Sequence, residues 1–219
     1  MLGMPHVPSL KTKAILLAML PLAACSTGSE FDETGGIKIA RSSCPAVAIP
    51  TYTGDVTLFN PLGDRTLAAL DATATITNMR TTCTDVGDRI QVVASFDVQA
   101  SRTRPAGARQ LSLPYFATIL RGGTEIQSKQ LGQVTIDFAD GQLRGAAHAS
   151  ATASVSRAAA TLPPEILERI TRKRKVGDAD AALDPMTQPE VRDAVAKANF
   201  EMLVGFQLSE SQLAYNATR

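Results

Sequence analysis

Tryptophan is absent from this 219-residue chain, aromatic residues make up only 5% of it, and there are three Cys and two His. The missing Trp removes the Cys…Trp…Cys signature of antibody-type domains. Three Cys exclude a disulfide-dense small scaffold, and no Cys-x-x-Cys spacing marks a redox or zinc centre. Charge of one sign is lacking as well, since 22 Lys and Arg stand against 21 Asp and Glu. That balance excludes a strongly basic nucleic-acid binder and an acidic disordered tail. No apolar run approaches the roughly 20 residues a spanning helix needs, which excludes a multi-span membrane protein. Gly-x-Ser-x-Gly, Ser-x-x-Lys and His-Glu-x-x-His are missing, and with them the local signatures of several hydrolase classes.

What is present is a chain 44% hydrophobic, long enough for one domain with a real core. From Ile37 the pattern is mainly period two. Ala72, Ala74 and Ile76 alternate with Thr73, Thr75 and Thr77. Ile90, Val92, Ala94, Phe96 and Val98 share one parity, with Gln91, Ser95, Asp97 and Gln99 on the other. Leu111 to Leu120 is apolar on both parities near Tyr115 and Phe116, as in a central strand covered on both faces. Val134, Ile136 and Phe138 alternate with Thr135 and Asp137. Residues 146–156 place Ala147, Ala149, Ala151, Ala153 and Val155 on one face, and the strict alternation outweighs the helix propensity of Ala. Turn chemistry bounds these runs at Val86-Gly87-Asp88, Pro105-Ala106-Gly107, Gly122-Gly123 and Asp140-Gly141. Asp140-Gly141 reads as a tight type I′ hairpin.

The period then changes. Pro163-Pro164-Glu165 opens a helix with Ile166, Leu167 and Ile170 as its apolar stripe and Gly177 as its stop. A second helix starts near Pro189 with Val191, Ala194, Val195 and Ala198 at helical spacing. Phe200, Met202, Val204, Phe206 and Leu208 return to strand alternation, and Ser209 with Gln212 has capping-box spacing, predicting a short terminal turn. The predicted fold is therefore mainly β. Six to eight antiparallel strands form a β-sandwich over residues 37–219, with a two-helix insertion at about 163–198 before the last strand. Immunoglobulin-like connectivity is one option, and a lipocalin-like barrel is the competing shape.

The first residues need separate treatment. Lys11 and Lys13 form a positive region, Ala14 to Leu22 an apolar stretch, and Leu22-Ala23-Ala24-Cys25 follows. This run resembles the signal peptide and lipobox of bacterial lipoproteins. The resemblance covers 25 residues. It implies removal of residues 1–24 by cleavage between Ala24 and Cys25, diacylglycerol on the Cys25 sulfur and acylation of its amino group, so that palmitate-type chains anchor the protein. Several acyl chains give stable anchoring where one gives only marginal binding. Ser26, where many Gram-negative lipoproteins destined for the inner membrane have Asp, implies the outer membrane, with the domain facing the periplasm. Loss of Lys11 and Lys13 leaves 20 basic and 21 acidic residues. Residues 25–36 read as the lipidated Cys and a small, polar, Gly-rich tether.

Cys44 and Cys83 then remain as an even pair in an exported chain, which predicts a structural disulfide. His148 is the last His, with Ser150, Thr152 and Ser154 on its parity, and reads as part of a polar solvent face. Asp178, Asp180 and Asp184 form an acidic cluster without EF-hand spacing and read as a solvated loop. Asp137 and Asp140 invite comparison with a glycosidase carboxylate pair, although the turn accounts for Asp140. Arg172-Lys173-Arg174-Lys175, with Arg169 one turn before, either complements a helix dipole or docks on an anionic surface, such as lipid phosphates or an acidic envelope protein. No cofactor, metal or nucleic acid is expected. The leading expectation is a non-enzymatic, lipid-anchored binding or structural module of the cell envelope. The alternatives are an envelope hydrolase using carboxylates and a carrier for an apolar ligand in a barrel-like interior.

Overall fold

The computed structural model describes residues 43–172, 177–178 and 183–219. All of them belong to one compact unit. Among the described residues there are eight strands: β1 (Ala46–Ala48), β2 (Asp55–Phe59), β3 (Leu70–Val86), β4 (Arg89–Arg102), β5 (Arg109–Arg121), β6 (Glu125–Phe138), β7 (Arg144–Ser156) and β8 (Phe200–Phe206). They form two four-stranded sheets, ordered β1-β8-β5-β6 and β2-β3-β4-β7. The sandwich follows from the period-two pattern, since each sheet has one apolar face to bury. Ile90, Val92, Ala94, Phe96 and Val98 of β4 are all buried, as are Val134, Ile136 and Phe138 of β6. Phe96 meets Tyr115 edge-on, with ring centroids 5.2 Å apart. Side chains fill the space between the sheets, each large apolar one contributing about 1.5–3 kcal/mol by its burial.

The connectivity is neither immunoglobulin-like nor a closed barrel. β2, β3 and β4 are three successive neighbours in one sheet, whereas neither sheet of the constant-type immunoglobulin order, ABED and CFG, keeps three consecutive strands together. The β6 and β7 strands lie in different sheets, so Asp140-Gly141 is not the predicted hairpin. The Gln142 amide donates to the Ala139 carbonyl (3.1 Å) and only Gly141 takes positive φ, +80°. A type I′ turn needs positive φ at both central residues, so the chain turns here from one sheet to the other. β1 departs from the antiparallel expectation by running parallel to β8. β5 is central, paired at both edges by β8 and β6, but its second face is covered only in part: Ser112 and Pro114 are exposed, and Phe116 and Leu120 are half-buried. Thr118 on it is 7% exposed.

Helices close the ends. α1 (Arg157–Ala160) continues from β7, α2 (Pro164–Thr171) and α3 (Pro189–Ala198) form the predicted pair, and α4 (Glu210–Thr218) follows β8. The α2 and α3 helices share a small core of Leu162, Ile166 and Val191. Leu167, expected in the stripe of α2, is 44% exposed instead. The Ser209–Gln212 capping box is formed, and the helix it starts is longer than a single turn. Asn216 of α4 is buried and donates to the carbonyls of Tyr52 and Asp55, both at 2.8 Å, which seats the helix beside β2.

Candidate functional site

Cys25, Ala24 and the rest of the predicted leader and tether lie outside the described residues, as do Lys173, Arg174, Lys175 and Asp180. The predicted disulfide is formed between Cys44 and Cys83, with 6.0 Å between their Cα atoms. A β-bulge makes this geometry available. The β3–β4 register runs Thr77 opposite Asp97 and then Arg80 opposite Ser95, so two residues of β3 face one of β4. Asn78 sits in the bulge at φ +53°. Before it the even residues Ala72, Ala74 and Ile76 face the core, and after it the odd residues Met79 and Cys83 do. One extra residue thus turns Cys83 inward, where an unbroken alternation would leave it facing water.

The disulfide lies at the end of the sandwich that carries the helical insertion. Ser43 and Cys44 line a hollow of about 190 Å³ together with Leu162, Leu167, Asn199 and Phe200. A second, wider hollow of about 510 Å³ runs over Ala158, Ala159 and Ala194, rimmed by Arg121, Glu190, Asp193 and Lys197. Arg121 donates from Nε to the Lys197 carbonyl at 2.6 Å, tying the end of β5 to α3. Arg172 is exposed where α2 ends, and its amide donates to the Glu168 carbonyl at 2.8 Å. Arg169 pairs with Glu190 of the neighbouring α3 at 3.2 Å, so it belongs in part to the packing of the insertion.

His148 lies on the predicted solvent face, but it has a partner the alternation alone does not reveal. Its Nδ1 is 2.9 Å from Oδ1 of Asp97, the residue directly opposite on β4. Asn78 in the bulge donates to Oδ2 of the same carboxylate at 2.9 Å. The His148 and Asn78 hydrogen bonds hold the Asp97 carboxyl below its ordinary range. The group is an oriented imidazole on an open sheet face. Asp137 accepts from Gln110 and Asp140 accepts from the Gly107 amide, so both carboxylates have structural work. Asp184 caps a 3-10 turn through the Met186 amide. Among the described residues no group of three or more His, Cys, Asp and Glu is placed to hold a metal, and no helix is long and apolar enough to cross a membrane.

Two polar arrangements have no signal in the sequence. Arg102 occupies an inward position at the end of β4 and is 5% exposed. Its guanidinium donates to the carbonyls of Pro105, Gly107, Ala139 and Gln142, at 2.6–2.9 Å, and lies over the Phe138 ring. Asp71 takes a bidentate pair from Arg109, both bonds at 2.7 Å, which holds its carboxyl below the ordinary range. Both sit in β-patterned segments where alternation predicts polarity by face; the partners of Arg102 come from the two loops at this end, and that of Asp71 from the start of β5, 38 residues on. No family model, no curated protein and no solved structure matches this chain.

Proposed function

We propose that this chain is a lipid-anchored, non-enzymatic protein of the bacterial cell envelope, cleaved before Cys25 and held at the outer membrane. Its sandwich would dock through the basic end of α2 on the anionic surface of that membrane. One observation carries the docking: Ser43 and Cys44, the first described residues, line the same hollow as Leu167 of α2. The tether therefore joins the domain beside the helix that ends in Arg172 and leads into Lys173, Arg174 and Lys175. An acyl anchor at Cys25 sits 18 residues before Ser43, a span of at most about 60 Å. Attachment at this end supports the reading, because it keeps the basic run within the tether's reach of the surface that would hold the anchor. Each Lys or Arg near an anionic surface contributes about 1 kcal/mol within a Debye length.

Two measurements test this. Cys25→Ser should prevent incorporation of labelled fatty acid, and label still entering that variant would sink the anchoring. Changing Arg172, Lys173, Arg174 and Lys175 together to Gln should leave the acylated protein in the membrane fraction. The same change should abolish salt-sensitive binding of the Cys25→Ser protein to phosphatidylglycerol vesicles. Vesicle binding that survives both 1 M salt and the fourfold change would place the contact elsewhere. Loss of recovery of an envelope protein with vesicle binding intact would make an acidic protein the partner instead.

A further inference from the structure

The outer face of the β1-β8-β5-β6 sheet changes character along its length. Near the Arg109 end of β5, Gln110 stands opposite Asp137 and Ser112 opposite Thr135, and all four are exposed. Near the Arg121 end the same face is apolar. Phe116 stands opposite Leu131, and Leu120 opposite Ile126. A bulge brings Ile126 to this face, because β6 holds one extra residue between the pairs Ile119–Ser128 and Leu120–Ile126. Leu203 of β8 continues the apolar area beside Thr118. Ile126 is 66% exposed and Leu131 68% exposed, whereas Phe116, Leu120 and Leu203 are half-buried.

The apolar end of the face is the end where the tether joins. In the β5–β6 turn, the Gly122 amide donates to the Asn199 carbonyl at 2.9 Å. Asn199 lines the hollow that Ser43 and Cys44 also line. Two residues after Cys44, Ala46 lies opposite Glu201, and then Ala48 opposite Leu203, so β1 borders the apolar area. Cys25 is 18 residues before Ser43, a reach of at most about 60 Å. The charges on the face suit a lipid interface better than a closed protein contact. Lys129, opposite Thr118, holds its Nζ 5.4 Å from the centre of the Phe116 ring. A Lys stem lies along apolar surface while its head reaches a lipid phosphate, whereas a closed protein contact would strip that charge of water. Glu201, at the corner nearest the helical insertion, accepts from Asn199 at 3.2 Å.

We propose that the apolar half of this sheet face, centred on Ile126 and Leu131, lies in the interfacial region of the phospholipid membrane that holds the anchor, with Lys129 at the phosphates and the Gln110–Asp137 half in water. The proposal rests on the anchored reading above and adds to the basic run a contact that salt does not screen. Two exposed side chains hold a free protein weakly, but an anchor makes their contact intramolecular. The test uses the acylated full chain in vesicles of phosphatidylethanolamine and phosphatidylglycerol. With Cys25 acylated and Cys44 bonded to Cys83, the thiol of Ile126→Cys, Leu131→Cys or Asp137→Cys alone is free to take an environment-sensitive fluorophore. Labels at positions 126 and 131 should emit as in lipid, be quenched by nitroxide-bearing lipid, and remain so in 1 M salt. The label at position 137 should emit as in water. Leu131→Asp should return the label at position 126 to water-like emission without moving the unfolding midpoint, because Leu131 is exposed. An acylated chain whose labels at 126 and 131 both emit as in water overturns this proposal and leaves the anchor standing. Equal quenching at all three positions, or quenching that 1 M salt removes, also overturns it. Shielding in whole envelopes but not in vesicles would make a protein the occupant and overturns it too. A chain that carries no acyl group removes both the anchor and this contact.

Discussion

At Arg102 the strand alternation places a cation where it predicts an apolar side chain, and the structure satisfies it with carbonyls instead of a carboxylate. Those carbonyls belong to the two loops that carry the chain between the sheets at this end, so one side chain organises both. Arg102→Met keeps much of the apolar stem but strands four acceptors. A loss of about 2–5 kcal/mol is expected in urea unfolding, with faster hydrogen exchange at the Gly141 amide, which donates to Pro105. Tyr115 shows a different single-residue constraint. Its ring crosses Gly132, the residue opposite it on β6, and its hydroxyl donates to the Ser150 carbonyl of β7 at 2.8 Å. A Cβ at position 132 would lie 2.3 Å from Tyr115 Cζ. Gly132→Ala should therefore destabilise by about 1–3 kcal/mol, and Tyr115→Phe by about 1 kcal/mol through loss of the bond alone. Asp71 sets an acid limit. Its carboxyl is depressed in the fold by Arg109, so its contribution is complete above the unfolded pKa near about 3.9 and is lost as pH falls through the folded value. Asp71→Asn should flatten the acid limb of the stability–pH curve below about pH 4 and lower stability at neutral pH.

At the scale of elements, the β3 bulge and the helical insertion decide the most. Asn78 holds φ +53°, which Asn tolerates and a β-branched residue does not. Asn78→Val should cost about 1–3 kcal/mol, and Asn78→Gly much less. If the bulge also aims Cys83, the Val variant should make the disulfide easier to reduce, read by thiol trapping over time. The insertion was legible as two helices because Val191, Ala194, Val195 and Ala198 repeat at helical spacing. Its apolar stripe was less legible. Leu167 borders the hollow beside Ser43, and periodicity cannot say whether a stripe residue meets a core or a recess.

Across the whole molecule, the disulfide joins the two layers. Cys44 precedes β1 of one sheet, and Cys83 lies in β3 of the other. With its ends 39 positions apart in sequence, the chain-entropy model gives about 4 kcal/mol, an upper-side figure. Reduction should lower the unfolding midpoint while leaving the far-ultraviolet spectrum of the folded state unchanged, since the core cluster spans seven of the eight strands without it. Leu70 and Cys83 lie 13 residues apart on β3, or about 40 Å along the strand. Leu70 and the disulfide beside the tether end therefore lie at opposite ends of one long strand. A charge change at the basic end of α2 is remote from most of the core: the fourfold Gln change should lower vesicle binding and leave the unfolding midpoint nearly unaltered.

The sequence by itself determined the strands of β4, β5, β7 and β8, the helix pair, the capping box and the pairing of Cys44 with Cys83. Each of these follows from a local period, a local cap or the count of available thiols, and none needs knowledge of a distant neighbour. Tertiary structure alone decided which strands share a sheet, because alternation states that a face is buried and not what buries it. It turned Cys83 inward, since a single bulge residue reverses parity without changing composition. It also gave Asp97 to His148, four carbonyls to Arg102 and Arg109 to Asp71. Those partners are separated in sequence by tens of residues or arrive from loops, and only the closing of the two sheets brings them within hydrogen-bonding reach.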